Sequence, residues 1–482
     1  MYILLACFTL FYFAVQAIYR LFFHPLCRYP GPVLAAITGW YEAYHDIIRD
    51  GGLVAELEML HQRLGPVIRI GPNILHFNYR QAYHDIYTHG STLTKDPEFY
   101  LALSAHNTGS SQALCDPQEA KDRRALLGPL FSRKAVSELE HTIQGKVDKL
   151  VAALEERHNS ESSAVALDIA FRACTTDIIT AYCFAESTDS LDVPNFAHEL
   201  LPLLRSVFTN AWFQRHFPFI FTLTNSAPQK IVLWLFPEMR TYLELNARFE
   251  RQIDRIIQDP DSVSGFEHRT VFHYLLEQKG RERLSKQILN FEAFLFIGAG
   301  SETTASACYV GTFYALKFPS IRKRLFEELC EAWPDPDRPM PYAALEKQPY
   351  LTAFIKETLR LALGVIHPLP RVVGSATPTI GGLKIPPGTI VEMSQLFLHM
   401  NPSVFPDPHD FNPDRWLAED TTEMMLDLSP FSKGPRICLG LNLAWCELYL
   451  VFGNMFRKLD MKLVINDDTY GPFSCLHPQI LC

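Results

Sequence analysis

The stretch that most constrains this chain is Phe431-Ser432-Lys433-Gly434-Pro435-Arg436-Ile437-Cys438-Leu439-Gly440, where one cysteine stands between two glycines with an arginine two residues ahead of it. A thiolate can be a nucleophile, half of a disulfide or a metal ligand, and this setting favours the ligand. Gly434 and Gly440 let the backbone approach another group closely or take positive φ, while Pro435 stiffens the turn between them. Such a loop presents its sulfur to a flat object. The apolar, helix-forming run Leu441 to Phe456 follows at once. The sulfur is therefore expected just before a helix N-terminus, whose unpaired N–H groups and dipole favour negative charge and lower the thiol pKa.

A buried, unliganded thiol is the commoner fate of any single cysteine, and the chain has eleven. Here five fixed positions, Phe431, Gly434, Arg436, Cys438 and Gly440, match FxxGxRxCxG, and the stretch resembles the haem-binding signature of the cytochromes P450. The resemblance implies a mainly α fold with small β-sheets around one b-type haem, iron protoporphyrin IX. Cys438 would be the axial thiolate ligand, Arg436 would pair with a haem propionate, Phe431 would pack beneath the ring, and Gly440 would belong to the same cofactor-binding loop.

The other cysteines show no paired spacing and several fall in apolar helical runs, so they read as reduced thiols in a cytosol-facing protein. A formal charge of −9 gives no overall basic surface for nucleic acid, and 482 residues with 48% hydrophobic content allow a large core. Tyr2 to Tyr19 is uncharged and apolar apart from Thr9 and Gln16, with Arg20 and Arg28 behind it. That pattern reads as a signal anchor with its C-terminal side in the cytosol rather than as a cleaved signal. The expected organisation is a transmembrane anchor over 1–23, a proline-rich hinge over 24–39 and a catalytic domain over 40–482, held at the endoplasmic reticulum membrane as a single-pass protein.

Periodicity predicts an amphipathic helix over 40–64 broken at Gly51-Gly52, two short strands over 66–72 and 73–77, and a helix from Arg80 to Tyr87. From Gly90 to Glu119 periodicity fails and a long loop is expected, which in a P450 would cover the substrate. Lys121 to Phe131 turns helical again. Most basic pairs such as Arg123-Arg124 are simply solvated. By the family's pattern Arg124 is similar to a propionate-binding arginine, with Ala120 where a tryptophan or histidine commonly adds a second contact. Residues 135–258 read as helices without a chemical constellation. Their aromatic section Phe208 to Phe221 is either core or, by analogy, a lid near substrate and membrane.

A second chemical motif, Ala299-Gly300-Ser301-Glu302-Thr303, lies inside an apolar run from Ile288 to Leu316 that must be buried. Gly298, Gly300 and Thr303 make a local bulge plausible there. An acid beside a hydroxyl on a buried helix is costly unless it is paired or used; an interhelical polar pair is the bland reading. The motif resembles the family's AGxET sequence, in which Glu302 would relay protons and Thr303 would hydrogen-bond dioxygen. Phe291, Phe294, Leu295 and Ala299 would line the substrate side, with Val365, Ile366 and Phe473 reaching it from later segments. Glu357 and Arg360, three apart on one helix face, would taken alone be an exposed ion pair. They resemble the family's ExxR, with Arg415 as its third member. Arg371 resembles a further propionate partner, and His367 reads as a packed or substrate-facing residue rather than a metal ligand.

No dinucleotide fingerprint follows a strand, so electrons must come from elsewhere. The resemblance implies a separate membrane-bound NADPH-cytochrome P450 reductase, O2 and a lipophilic small-molecule substrate. Particular segments resemble filamentous-fungal secondary-metabolism members of the trichodiene oxygenase type, which points to a terpenoid, with a polyketide or alkaloid scaffold as alternative. Two rivals are a haem-thiolate isomerase or dehydratase, against which the Glu302-Thr303 pair counts, and a non-enzymatic haem sensor or carrier.

Overall fold

The helix Lys286–Lys317 is the axis on which the other helices pack, and its sequence explains why. It is apolar on nearly every face, Ser285 caps it by accepting from the Ile288 N–H at 3.3 Å, and Pro319 follows its end. Gly300 and Gly311 remove bulk on it. A Cβ at Gly300 would lie 2.8 Å from Ile179 of the helix Leu167–Phe184, and one at Gly311 would lie 2.6 Å from Phe452 of the helix Leu441–Lys458. These glycines thus serve helix packing, and the expected bulge is absent: the helix runs unbroken through Gly298–Thr303. Thr303 Oγ1 donates to the Ala299 carbonyl at 2.8 Å without interrupting it.

The computed structural model describes residues 1–104, 107–161, 164–184, 186–236, 239–259, 270–276 and 284–464. One apolar core joins the helices Arg133–Glu161, Leu167–Phe184, Lys286–Lys317, Pro349–Leu361 and Leu441–Lys458. A second core backs a five-stranded sheet in the order Val67–Gly71, Ile74–Phe77, Ile390–Glu392, Arg371–Val372, Thr94–Lys95. The two strands expected over 66–72 and 73–77 are present and pair antiparallel, and Thr379–Ile380 pairs antiparallel with Leu383–Lys384 across Gly381-Gly382. The chain is accordingly mainly α with small sheets.

The stretch 90–119 departs from the expected long loop. It contributes the edge strand Thr94–Lys95, and the helix Pro97–Leu103 starts on Asp96, whose carboxylate accepts from the Phe99 N–H at 3.4 Å. The Asp-Pro pair is a helix-start signal that outweighs the missing periodicity. The aromatic section after 208 splits in two. Trp212 is buried against Phe99 and Tyr100, whereas Phe213 and Phe219 face outward. At the N-terminus, Tyr2–Phe23 is a helical span of 22 residues with mean hydropathy 1.8 and none of it buried, long and apolar enough to cross a bilayer.

Candidate active site

Cys438, Thr303 and a group of basic side chains line one internal cavity of about 370 Å³. Cys438 is held by its loop: its N–H donates to the Phe431 carbonyl at 2.9 Å, closing a turn in which Gly434 takes φ +72°. Glycine is required at 434, because a Cβ there would sit 2.7 Å from the Tyr87 carbonyl oxygen. Gly440 differs. Its φ is an ordinary −81°, and a Cβ there would meet no protein atom within 4 Å, although the residue lines the cavity. Cys438 is exposed, and what it faces is this cavity rather than bulk water. Burial among protein atoms therefore raises its thiol pKa, outweighing the Gly440 N–H and the Arg124 guanidinium, which act downward. The lowering expected from the helix terminus alone is thus reversed, since no positive charge adjoins the sulfur closely enough to cancel its loss of solvent.

From the central helix Phe291, Phe294, Leu295, Ala299 and Thr303 reach the same space, as do Arg124, Val365, Arg371, Phe431 and Arg436. Two expected residues among those described do not. Glu302 turns toward the helix Leu167–Phe184, where Arg172 Nε donates to its Oε2 at 3.0 Å; its Oε1 is buried without a hydrogen-bond partner. Burial raises the Glu302 carboxyl pKa while Arg172 acts to lower it. Ile366 is absent from the cavity lining, and its carbonyl accepts from Ser394 Oγ at 2.5 Å. Phe473 lies outside the described residues. His367 is packed, as expected, with its ring centroid 5.2 Å from that of Phe99 and 4.4 Å from that of Trp212.

The Glu357–Arg360 pair is not the surface pair that its spacing alone suggests, for both side chains are fully buried. Arg360 Nη2 and Nε donate to the two Glu357 oxygens at 2.8 and 3.0 Å, and Arg415 Nε and Trp416 Nε1 add further bonds at 3.1 and 2.9 Å. This network ties the helix Pro349–Leu361 to the segment that leads into the cysteine loop.

Two features escaped the sequence reading. Arg123, read there as solvated, donates to Glu292 Oε1 at 2.5 Å and to the Gly109 carbonyl at 2.9 Å. Glu292, on the central helix and fully buried, also accepts from the Ser111 N–H and Oγ at 2.9 Å. That clamp holds over the cavity the segment that supplies Ser110 and Gln112 to its lining. The second feature is Lys95, buried at the same cavity. Its sequence signal is only the following Asp96-Pro97, which fixes where the helix begins but not what the lysine meets.

The arrangement fits a flat dianionic metal complex. It offers an accessible thiol, a glycine whose missing Cβ leaves free space, and a group of cations beside the cavity with no carboxylate partner among the described residues.

A family model for cytochrome P450 matches residues 39–473. Similar proteins include a cytochrome P450 monooxygenase of Eupenicillium brefeldianum, 36% identical over 467 residues that cover 93% of this chain and 90% of the relative. A conidiogenone synthase of Penicillium rubens is 36% identical over 450 residues, 92% and 89%. A tryptophan 6-hydroxylase of Fusarium equiseti is 34% identical over 470 residues, 97% and 90%. With a thiol loop, a hydroxyl-bearing helix and a buried Glu-Arg-Arg network arranged around one cavity, the chain belongs to the cytochrome P450 family and is a P450 monooxygenase.

Proposed function

We propose that the protein is a membrane-anchored haem-thiolate monooxygenase that inserts one oxygen atom into a lipophilic secondary metabolite, a terpenoid before a polyketide or alkaloid. The observation that carries this reading is the meeting of Cys438 and Thr303 in one cavity, where Phe291, Phe294, Leu295, Ala299 and Val365 form an apolar part of the wall. Such an apolar stretch beside Thr303 suits a lipophilic substrate. The haem, when bound, supplies the activation of dioxygen and the attack on an unactivated C–H bond.

In this reading Cys438 ligates the iron through its sulfur, Phe431 packs against the ring, and Gly440 leaves room for it. Arg124, Arg371 and Arg436 bind its carboxylates. Thr303 offers a hydroxyl whose proton already points along the helix to Ala299 and which turns to hold a water or an oxygen in the cavity. Glu302 serves as the inner end of a proton path. Arg172 holds one of its oxygens and leaves the other free, so a rotation about its side chain, rather than its resting pose, would bring a proton toward Thr303. The span Tyr2–Phe23 anchors the domain, residues 24–39 act as the hinge, and the catalytic domain over 40–482 faces the cytosol at the endoplasmic reticulum. There an NADPH-cytochrome P450 reductase delivers electrons.

The test is expression in yeast together with that reductase. Microsomes carrying the protein are expected to show the red-shifted Soret band of a thiolate-ligated haem on reduction under CO, and to turn over terpenoid substrates with NADPH. A haem protein without that band would contradict the proposal. A second expectation concerns Thr303. Thr303→Ala removes the hydroxyl and leaves the helix intact, because the bond it makes is a side-chain one. NADPH consumption should persist while product per NADPH falls several-fold and hydrogen peroxide rises. Coupling equal to that of the unmodified enzyme would refute the role given to the hydroxyl.

A further inference from the structure

A second group of buried charges stands apart from the cysteine cavity. Glu42 and Asp46, on the adjoining helices Trp40–Ala43 and Tyr44–Ile48, are 4% and 3% exposed, and Glu392, at the end of the strand Ile390–Glu392, is fully buried. Among the described residues one cation answers these three carboxylates: Arg215, whose Nη2 lies 2.8 Å from Glu42 Oε1 and whose Nη1 lies 3.8 Å from Asp46 Oδ2. Histidine does not close the gap. Burial and Arg215 push His216 down to about 4, and burial holds His367 well below its ordinary range, so both rings are neutral. Asp46 Oδ1, His367 Nε2 and both Glu392 oxygens are moreover buried without a hydrogen-bond partner among the described residues, a costly state for polar atoms.

His367 is aimed into this group. Its ring packs on Phe99 and Trp212, and its Nδ1 donates to the Pro368 carbonyl at 2.8 Å. A carbonyl can only accept, so the neutral ring keeps its proton there and presents a bare lone pair at Nε2, 3.9 Å from Asp46 Oδ1. Asp46 is oriented in turn, because His216 Nε2 donates to its Oδ2 at 2.8 Å. One donor atom each from Glu42, Asp46 and His367 lie within 4.8 Å of one another. A lone histidine in sequence becomes one of three converging donors once the fold brings the N-terminal helices to it.

We propose that Glu42, Asp46 and His367 bind a divalent metal ion, zinc, outside the catalytic cavity. Two carboxylates and a neutral imidazole suit zinc, and imidazole and carboxylate are each steadied through their second polar atom, as metal ligands are. The ion's two positive charges match the excess of negative charge that Arg215 leaves. Tetrahedral zinc with bonds of about 2.1 Å spaces its donors by about 3.4 Å, so Asp46 Oδ1 and His367 Nε2 need to close by about half an ångström; water takes the fourth position. The ion would tie the N-terminal helices to the chain around His367, whose neighbours Val365 and Leu369 line the cavity, and, through Asp46 and His216, to the end of the helix Leu200–His216. It is a brace behind the cavity wall, and it does not depend on what the cavity holds. The rival account balances the charge with protons: burial pushes Asp46 up to about 7 against Arg215, and raises Glu392 well above the carboxylate range.

The experiment uses full-length, haem-loaded protein, stripped with a chelator and dialysed at neutral pH against buffered micromolar zinc. Zinc per chain is read by mass spectrometry, and the melting temperature is compared with and without the metal. The unmodified protein should hold about one zinc per chain and melt several degrees higher with it, since an ion bound to the native state alone stabilises that state. Asp46→Asn and His367→Gln should lower zinc affinity about a hundred-fold or more and abolish the shift, whereas His216→Gln, which removes a support and no ligand, should weaken it about ten-fold. No zinc uptake by the unmodified protein would leave protons as the balancing charge and overturn the proposal. Equal uptake by the unmodified protein and both ligand variants would place the metal elsewhere, at the exposed Cys7 or Cys27 for example, and would overturn it as well. Should the variants fail to fold, X-ray absorption at the zinc edge of the unmodified protein decides: nitrogen and oxygen at about 2.0 Å support the site, and sulfur at about 2.3 Å overturns it.

Discussion

Glu357→Ala is expected to cost about 3–5 kcal/mol of stability, the scale of stripping a buried charge of its partner. It should be read as a lower urea midpoint and a collapse in haem occupancy. One carboxylate here receives Arg360 twice, Arg415, Trp416 and the Asn412 N–H, the last at 2.9 Å. Arg360 is fully buried as well, and its remaining donors already serve the His399, Pro408 and Asp410 carbonyls. Without Glu357 the guanidinium keeps its hydrogen bonds to carbonyls and loses its only counter-charge in that network. Glu357→Gln should sit between the two, because the amide turns a donor toward donors while preserving volume. Glu138→Gln makes the comparison. Its pair with Lys134 is largely exposed at 3.9 Å, and losing it should change stability by less than about 1 kcal/mol. A Glu357→Ala protein as stable as Glu138→Gln would mean that the network is not what holds the segment before the cysteine loop.

That contrast also shows where sequence reading ran out. Spacing alone makes Glu357 and Arg360 look like any helical ion pair, because burial is set by segments some fifty residues away, those carrying Asp410, Asn412 and Trp416. Only the family's pattern hinted at the third partner. The cysteine loop was legible for the opposite reason: its constraints are local, a turn needing positive φ at Gly434 and a helix beginning after Gly440. Glu302 falls between these cases. The motif marked it as chemically loaded, yet its partner is Arg172 on another helix, so what the structure displays is the interhelical pair. The glycines of the central helix were noticed but misassigned. A missing Cβ looks the same in sequence whether it loosens a helix or admits Ile179. Lys95 was invisible because its place at the cavity is set by a cross-strand register with Arg371, and a two-residue edge strand leaves no periodicity to find.

Cys438→Ser is expected to abolish both the red-shifted CO band and product formation while leaving a folded protein. The loop's geometry supports the second half of that statement. The backbone bond from the Cys438 N–H to Phe431 and the positive φ at Gly434 do not involve the sulfur, and serine is smaller than cysteine at a position already open to the cavity. The first half follows from acidity and softness. A buried cysteine thiol gives up its proton to a metal outright, whereas a serine hydroxyl resists doing so and is a harder, weaker donor to iron. The arginines Arg124, Arg371 and Arg436 are untouched by the change, so haem is expected to remain bound through its carboxylates. Cys174→Ser is the matching control, since Cys174 is buried in the helical core and does not line the cavity. It should keep the band and the activity. Persistence of the red-shifted band in Cys438→Ser, or its loss in Cys174→Ser with a melting curve like the unmodified protein's, would place the thiolate ligand elsewhere. Folded Cys438→Ser that binds haem without the band would separate the two tasks of the site, cations that hold the cofactor and a single sulfur that sets what it can do.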